Sequence, residues 1–186
     1  MADAAFVELI AGCKGGNEHS FRRLMEEYQP VAYRLAFRML CDEDDARDAV
    51  QQTFIRIWRG IGSYDPARAF PTWMYAIVSN VCLDQLRQRR RRSLVLFRRE
   101  EDAVSEDVPD DAVTNLQLAA TIRLLTGKLP AMQKLVFTLR DLEELSVGEV
   151  VSITGLSRDA VKANLWHARR AIRGILLKDL QRGERV

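Results

Sequence analysis

Three stretches of this 186-residue chain carry side chains whose types and spacing suit chemistry at a surface. Between Phe70 and Arg92, Tyr75, Asn80, Asp84 and Arg87 recur as polar handles and are followed by Arg89, Arg90, Arg91 and Arg92. Aromatic and amide groups give faces on which unstacked bases can lie, while guanidinium groups neutralise phosphates. The same pattern also fits a core helix with a solvated basic tail, and spacing alone does not choose. Between Arg158 and Arg170, the polar side of an amphipathic stretch is made of Arg158, Lys162, Asn164, His167, Arg169 and Arg170. Around Asp48, a third stretch places Asp48, Gln51, Gln52 and Ile55 together on one helical face. That mixture of acid, amides and one outward aliphatic suits docking on another protein as well as it suits solvent.

None of these sets is catalytic in type. The chain has no glycine-rich phosphate loop, no nucleophile paired with a base and no metal-ligand spacing. Asp42, Asp44, Asp45 and Asp48 resemble a magnesium cluster, but acids at a helix start are explained by the positive end of the helix dipole. Two histidines and three scattered cysteines, Cys13, Cys41 and Cys82, argue against a metal site or a disulfide framework. No cofactor, no metal and no enzyme activity are expected.

The elements that must position these residues read as helices throughout. Residues 4–13 form a first short helix ending near Gly15 and Gly16, and Asn17 caps a second that carries Phe21, Leu24, Met25 and Tyr28. Pro30 is expected to kink or break it before Val31, Leu35, Ala36 and Leu40 continue the stripe. A third helix opens at Asp42–Asp45 and turns Ala46, Ala49, Val50, Thr53, Phe54, Ile57 and Trp58 inward. Gly60–Pro66 is a loop, and Phe70-Pro71 begins a long helix to about Arg92, with Trp73, Ile77, Val81 and Leu86 inward.

Further on, Thr114–Leu125 and a segment from Leu129-Pro130 are amphipathic, the latter with Met132, Leu135, Val136 and Leu139 inward. Ser146 and Glu149 make a capping box, Gly155 suits a left-handed helix end, and Ser157 caps a final helix. Val161, Leu165, Ala168, Ile172 and Ile175 give that helix one buried stripe. A short capped helix, a glycine turn and a basic helix form the pattern of a helix-turn-helix that reads duplex DNA; a generic helical pair with a solvated basic face has the same spacing.

Charge divides the chain. Net charge is only +2, yet residues 87–99 hold seven arginines and no acid, and residues 100–111 hold seven acids and no base. This block separates two basic surfaces and reads as a flexible acidic linker. The expected fold is all-α: a domain over 1–92, a linker over 93–113, and a helix-turn-helix domain over 114–186. No stretch is apolar enough to span a bilayer, and the start MADAAFVELIAG lacks a signal peptide's pattern, so a cytoplasmic location without direct membrane insertion is expected.

Three blocks in order, DARDAVQQTFIRIW (Asp45–Trp58), FPTWMYAIVSNVCLDQLRQRRRR (Phe70–Arg92) and LPAMQKLVFTLRDLEELSVGEVVSITGLSRDAVKANLWHARRAI (Leu129–Ile172), closely resemble bacterial extracytoplasmic-function (ECF) sigma factors of the sigma-70 family. The resemblance implies core RNA polymerase as partner, through its β′ clamp and β flap, together with promoter DNA and an anti-sigma factor that holds the protein inactive. It assigns Asp48, Gln51, Gln52 and Ile55 to the clamp; Phe54 and Trp58 match family positions too, but their spacing puts them in the core. It makes Tyr64, Phe70 and Asn80 candidates for a pocket holding a flipped −10 base, with Tyr75 and Asp84 matching the same block. Arg87, Arg89 and Arg90 would hold phosphates.

The last block would read the −35 duplex through Arg158, Lys162, Asn164, Trp166, His167, Arg169 and Arg170. Where the family shows V-K-S-R-L-x-R-A-R, this chain has Val161-Lys-Ala-Asn-Leu-Trp-His-Ala-Arg169. Asn164 in place of arginine suits adenine better than guanine. The alternative from another class is a self-sufficient helix-turn-helix repressor on a palindromic operator, which leaves the first two blocks without a role.

Overall fold

The structure, a computed structural model, describes residues 4–66, 68–96 and 121–183. Every regular element among them is helical: α1 Ala4–Lys14, α2 Glu18–Leu40, α3 Glu43–Gly60, a 3₁₀ turn Ile61–Ser63 and α4 Phe70–Leu96. Then come α5 (121–126), α6 Ala131–Phe137, a single π-helical turn Thr138–Leu142, α7 Val147–Thr154 and α8 Arg158–Gly183. The long helix α4 runs four residues past its expected end at Arg92. Residues 97–113 of the expected linker and 114–120 of the expected helix lie outside the described residues.

Local chemistry sets most boundaries. The Asn17 side chain accepts from the Ser20 amide at 2.9 Å, and Asp42 accepts from the Asp45 amide at 2.9 Å. Each satisfies a donor that a helix start leaves orphaned. Ser146 and Glu149 close the full capping box, the Ser146 amide reaching Oε2 of Glu149 at 2.8 Å and the Glu149 amide reaching Oγ of Ser146 at 3.2 Å. Gly155 ends α7 at φ +71°, where a Cβ would be strained, and Ser157 accepts from the Ala160 amide to start α8. Pro30 does not break α2, which continues through it. The proline sits on the exposed side, where water can satisfy the carbonyl left without a donor.

The core explains why α4 is so apolar. Its Phe70, Met74, Val78, Val81 and Cys82 are buried against α2 and α3, which contribute Leu24, Leu35, Ala36, Met39, Ala49, Phe54 and Ile57. The same helix also packs against α6 and α7, so Leu135, Val136, Leu139 and Val150 join one continuous apolar cluster. The inward stripe expected at Trp73, Ile77, Val81 and Leu86 is therefore displaced: Val81 is buried, the other three are half-buried, and Met74, Tyr75 and Val78 take the interior. At about 1.5–3 kcal/mol for each large side chain fully buried, α4 is the principal support of both halves.

The capping box makes α7 sensitive to acid. The Ser146 hydroxyl and then its amide hold the Glu149 carboxyl below its ordinary value of 4.5. A carboxylate depressed in the fold stabilises above its unfolded pKa, and that contribution disappears as pH falls through the folded value. Ser146→Ala should cost about 1 kcal/mol in urea unfolding at neutral pH. The deficit of Glu149→Gln against the parent chain should shrink on going to pH 3; a deficit that stays constant would contradict the linkage.

Candidate nucleic-acid and polymerase interfaces

On α3, the face expected for docking is at the surface. Asp48, Gln51, Gln52 and Ile55 are all exposed, Ile55 at 36%. Trp58 corrects the expectation that it belongs to the core. It is 39% exposed, its ring held edge-on against Phe21 at 4.7 Å, while Phe54 is buried as expected. The reason is angular: Trp58 lies three residues beyond Ile55 and four beyond Phe54, so it straddles the boundary between the outer and inner faces. An exposed indole beside an exposed isoleucine lengthens the outward apolar edge of the face expected for docking by one turn. Sequence periodicity missed it because a wide apolar stripe assigns its edge residues inward by default.

The residues expected to take −10 DNA divide into three environments. Tyr64 and Phe70 are interior, not surface, residues. Phe70 is the hub of an aromatic cluster, meeting Phe6 at 5.8 Å, Tyr28 at 4.7 Å, Tyr64 at 5.5 Å and Trp73 at 5.7 Å between ring centroids. Tyr64 is fixed by its hydroxyl, which donates to the Arg68 carbonyl at 2.5 Å, and by Lys14, which donates to the Tyr64 carbonyl at 2.7 Å. Tyr75 is also interior: its hydroxyl donates to Glu143 at 3.0 Å, and burial first, then that carboxylate, push its pKa up to about 12.

Asn80, Asp84 and Arg87 are exposed and share one face of α4. Asp84 bonds Arg87 at 2.9 Å and faces Arg56 of α3 at 3.6 Å, so these groups line a polar groove with Gln52 and Arg91. Arg89 is committed within the fold, to Asp45 and to the Leu40 carbonyl. Arg90 is exposed near the end of α4. Arg68, not singled out in the sequence, and Trp73, expected inward, line a cleft of about 710 Å³ with Thr72 and Ala76 on one side and Ser146, Gly148 and Ser152 of α7 and its cap on the other.

On α8 the exposed side chains Arg158, Lys162, Trp166, Arg170 and Arg173 follow one another at helical spacing. Trp166 is 55% exposed, with the Arg170 guanidinium 5.2 Å from its ring centroid and the exposed His167 ring at 4.8 Å. The cation is thus held against an outward-facing indole. Two other expected readers are partly engaged. Asn164 donates its amide to the Ala160 carbonyl at 2.8 Å, one turn back. Arg169 grips Asp141 in a two-pronged pair at 2.8 and 2.6 Å, which joins α8 to the π-turn. The Arg169 contact was not visible in the sequence, since Asp141 lies 28 residues away.

These surfaces, with a helix-turn-helix behind a helical domain, define a promoter-recognition factor. Residues 24–92 match the family model for sigma-70 region 2, and residues 120–172 match that for sigma-70 region 4. The chain is 31% identical to the ECF RNA polymerase sigma factor SigW of Bacillus subtilis (strain 168) over 176 residues, spanning 88% of this chain and 92% of that one. It is 29% identical to the RNA polymerase sigma factor CnrH of Cupriavidus metallidurans over 184 residues, 94% and 95% of the two chains. The structure of CnrH in complex with the cytosolic domain of CnrY superposes with a TM-score of 0.68 at 26% identity, covering 92% of this chain and 96% of that one. A sigma factor RpoE from Bartonella quintana, solved with the anti-sigma factor NepR, shares the fold at a TM-score of 0.66 and 21% identity. The chain belongs to the ECF sigma factors of the sigma-70 family, with α2–α4 as region 2 and α5–α8 as region 4. A repressor finds no support among these relatives.

Burial gives Phe70 a test. Phe70→Ala should cost about 3–5 kcal/mol in denaturant unfolding, because it empties the centre of an aromatic cluster. A variant that keeps its stability while losing −10 DNA binding would contradict the interior assignment.

Proposed function

We propose that this chain directs promoter-specific initiation by recruiting core RNA polymerase, reading the −35 element as duplex and holding the −10 element open. The observation that carries this division is that the docking stripe, the α4 face and the α8 face are exposed on three different helices of a fold shared with other ECF sigma factors. It acts without enzymatic chemistry of its own, as sigma factors do.

The clamp contact rests on Asp48, Gln51, Gln52 and Ile55, extended by Trp58. Duplex reading rests on Arg158, Lys162, Trp166 and Arg170. Asn164 would have to release the Ala160 carbonyl, and Arg169 the Asp141 carboxylate, before either could meet a base edge in full. In the −10 module, Asn80, Arg87 and Arg90 face outward and supply edge and phosphate contacts, with Trp73 and Arg68 at the cleft. Tyr64, Phe70 and Tyr75 act from beneath by fixing the loop and the first turns of α4. Capture of an extruded base offsets the few kcal/mol that unstacking takes, so opening needs no ATP.

Among the described residues no helix is long and apolar enough to cross a membrane. A cytoplasmic site of action fits a partner that is polymerase, and an anti-sigma factor is the expected antagonist, since the similar RpoE is solved in complex with the anti-sigma factor NepR.

Reconstitution with core polymerase, followed by sequencing of transcript 5′ ends, tests the function: starts should appear at defined promoters only when the chain is present. A chain that protects a palindromic duplex alone and forms no polymerase complex would overturn it. Within that system, Gln51→Ala with Ile55→Ala should weaken core binding by about tenfold or more, on the scale of losing a few interface side chains. Trp58→Ala should add to the loss, and binding that stays at the parent value would remove the docking assignment. Asn164→Arg should shift the selected −35 sequence; an unaltered motif would exclude that residue from base readout.

A further inference from the structure

A buried carboxylate joins the two regions, and nothing in the promoter-reading account uses it. Glu143 stands at the end of the π-turn in region 4, its side chain only 2% exposed. Its Oε1 accepts from Arg38 Nη1 at 2.7 Å and from Arg34 Nε at 3.3 Å. Its Oε2 accepts from Arg34 Nη2 at 2.9 Å, from Arg34 Nε at 3.2 Å and from the Tyr75 hydroxyl at 3.0 Å. Arg38 reaches the neighbouring Leu142 carbonyl as well. All three side-chain donors belong to region 2, two on α2 and one on α4. A carboxylate stays charged out of water only when it is paired and fully hydrogen-bonded, so Glu143 can be buried only while region 4 rests on region 2.

The corner that presents Glu143 is itself unusual. A π-helical turn is a rare element, found disproportionately at functional positions. Glu144, directly after the latch residue, adopts φ +58° although it is not glycine, a conformation that needs support from its surroundings. The Glu143 and Leu145 amides reach back to the Thr138 and Leu139 carbonyls at 2.9 and 3.0 Å. This backbone is held so that a carboxylate projects from region 4 toward region 2.

We propose that Arg34, Arg38 and Tyr75 form a carboxylate socket on region 2 whose occupant in the free chain is Glu143, and that this latch closes region 4 over the first turns of α4. The socket is suited to release: the Arg34 side chain is 49% exposed, so its cation is rehydrated readily when the carboxylate leaves. A counterweight lies in the same interface. Lys134 of α6 is buried with its amine 3.4 Å from the Cys41 sulfur and, among the described residues, with no carboxylate partner, and burial lowers its pKa. Closing thus seats one carboxylate well and desolvates one amine poorly. While the latch holds, α7 faces Arg68, Thr72, Trp73 and Ala76 across the cleft, on the module that the proposed function gives to the −10 strand. The masking rests on that reading, whereas the latch itself does not.

The test uses the full chain. Small-angle scattering gives its radius of gyration, and a fluorescent single-stranded oligonucleotide carrying the −10 sequence found in the transcription assay gives its affinity. Glu143→Ala and Arg38→Glu should each enlarge the radius and tighten oligonucleotide binding by tenfold or more. The charge-swapped pair Arg38→Glu with Glu143→Arg should return the chain to its compact size, which a merely destabilised fold would not do; circular dichroism confirms that each variant remains helical. A single variant as compact as the parent, or a double variant as expanded as the singles, overturns the socket. Expansion and rescue with unchanged oligonucleotide affinity uphold the socket and overturn the masking of −10 binding.

Discussion

A buried carboxylate cannot be left alone, and the arrangement of this protein follows from where Glu143 finds its partners. Arg34, Arg38 and Tyr75 lie on α2 and α4, about 70 to 110 residues from Glu143 along the chain, as the separations of 68, 105 and 109 show. Their convergence brings the helix-turn-helix against the helix that supports the rest of the protein. With α2 and α3 packed on it and α6 and α7 covering it as well, α4 is at once the structural axis and the helix assigned to the −10 element. Folding and function therefore compete for the same surface. In the closed chain that competition is decided for folding.

The geometry of a promoter opposes this closure. Elements centred about 35 and 10 base pairs upstream are separated by roughly 85 Å of B-form duplex, at 3.4 Å per step. Regions 2 and 4 cannot meet those elements while Glu143 occupies its socket. Fully extended at about 3.6 Å per residue, the acidic sequence between Arg99 and Asp111 spans at most about 43 Å, so the regions themselves must bridge the remainder. Core polymerase then acts as a spacer that supports each region in its own place, and the affinity it offers must exceed what the latch and the shared apolar interface provide.

Much of this was legible in residues whose fate is decided by near neighbours. Asn17, Asp42, Ser146 with Glu149, Gly155 and Ser157 each mark a helix boundary, because a cap needs only residues two or three positions away. The stripe Val161, Leu165, Ala168 and Ile172 and the outward set Asp48, Gln51, Gln52 and Ile55 were also readable, since one helical period fixes both. The errors share a cause. Tyr64, Phe70 and Tyr75 carry groups that suit base stacking, but long-range packing placed them inside. Trp58 went the other way, being at the edge of its face. Arg169 and Asn164 were read as duplex readers without sight of their partners, Asp141 and the Ala160 carbonyl, which side-chain periodicity does not show. Lys134 was passed over because a lysine at an inward position contradicts the pattern that finds cores.

The most direct measurement of the account is the distance between the regions, before and after assembly on DNA. All three native cysteines are buried, so spin labels can be introduced at exposed sites away from the interfaces, such as Glu26 on α2 and Ala171 on α8. In the free chain, pulsed electron paramagnetic resonance should give one short, narrow distance distribution. In an initiation complex with core polymerase and promoter, the distribution should move outward by tens of ångströms, as the roughly 85 Å separation of the elements demands. A complex that initiates transcription while keeping the short distance would contradict the account.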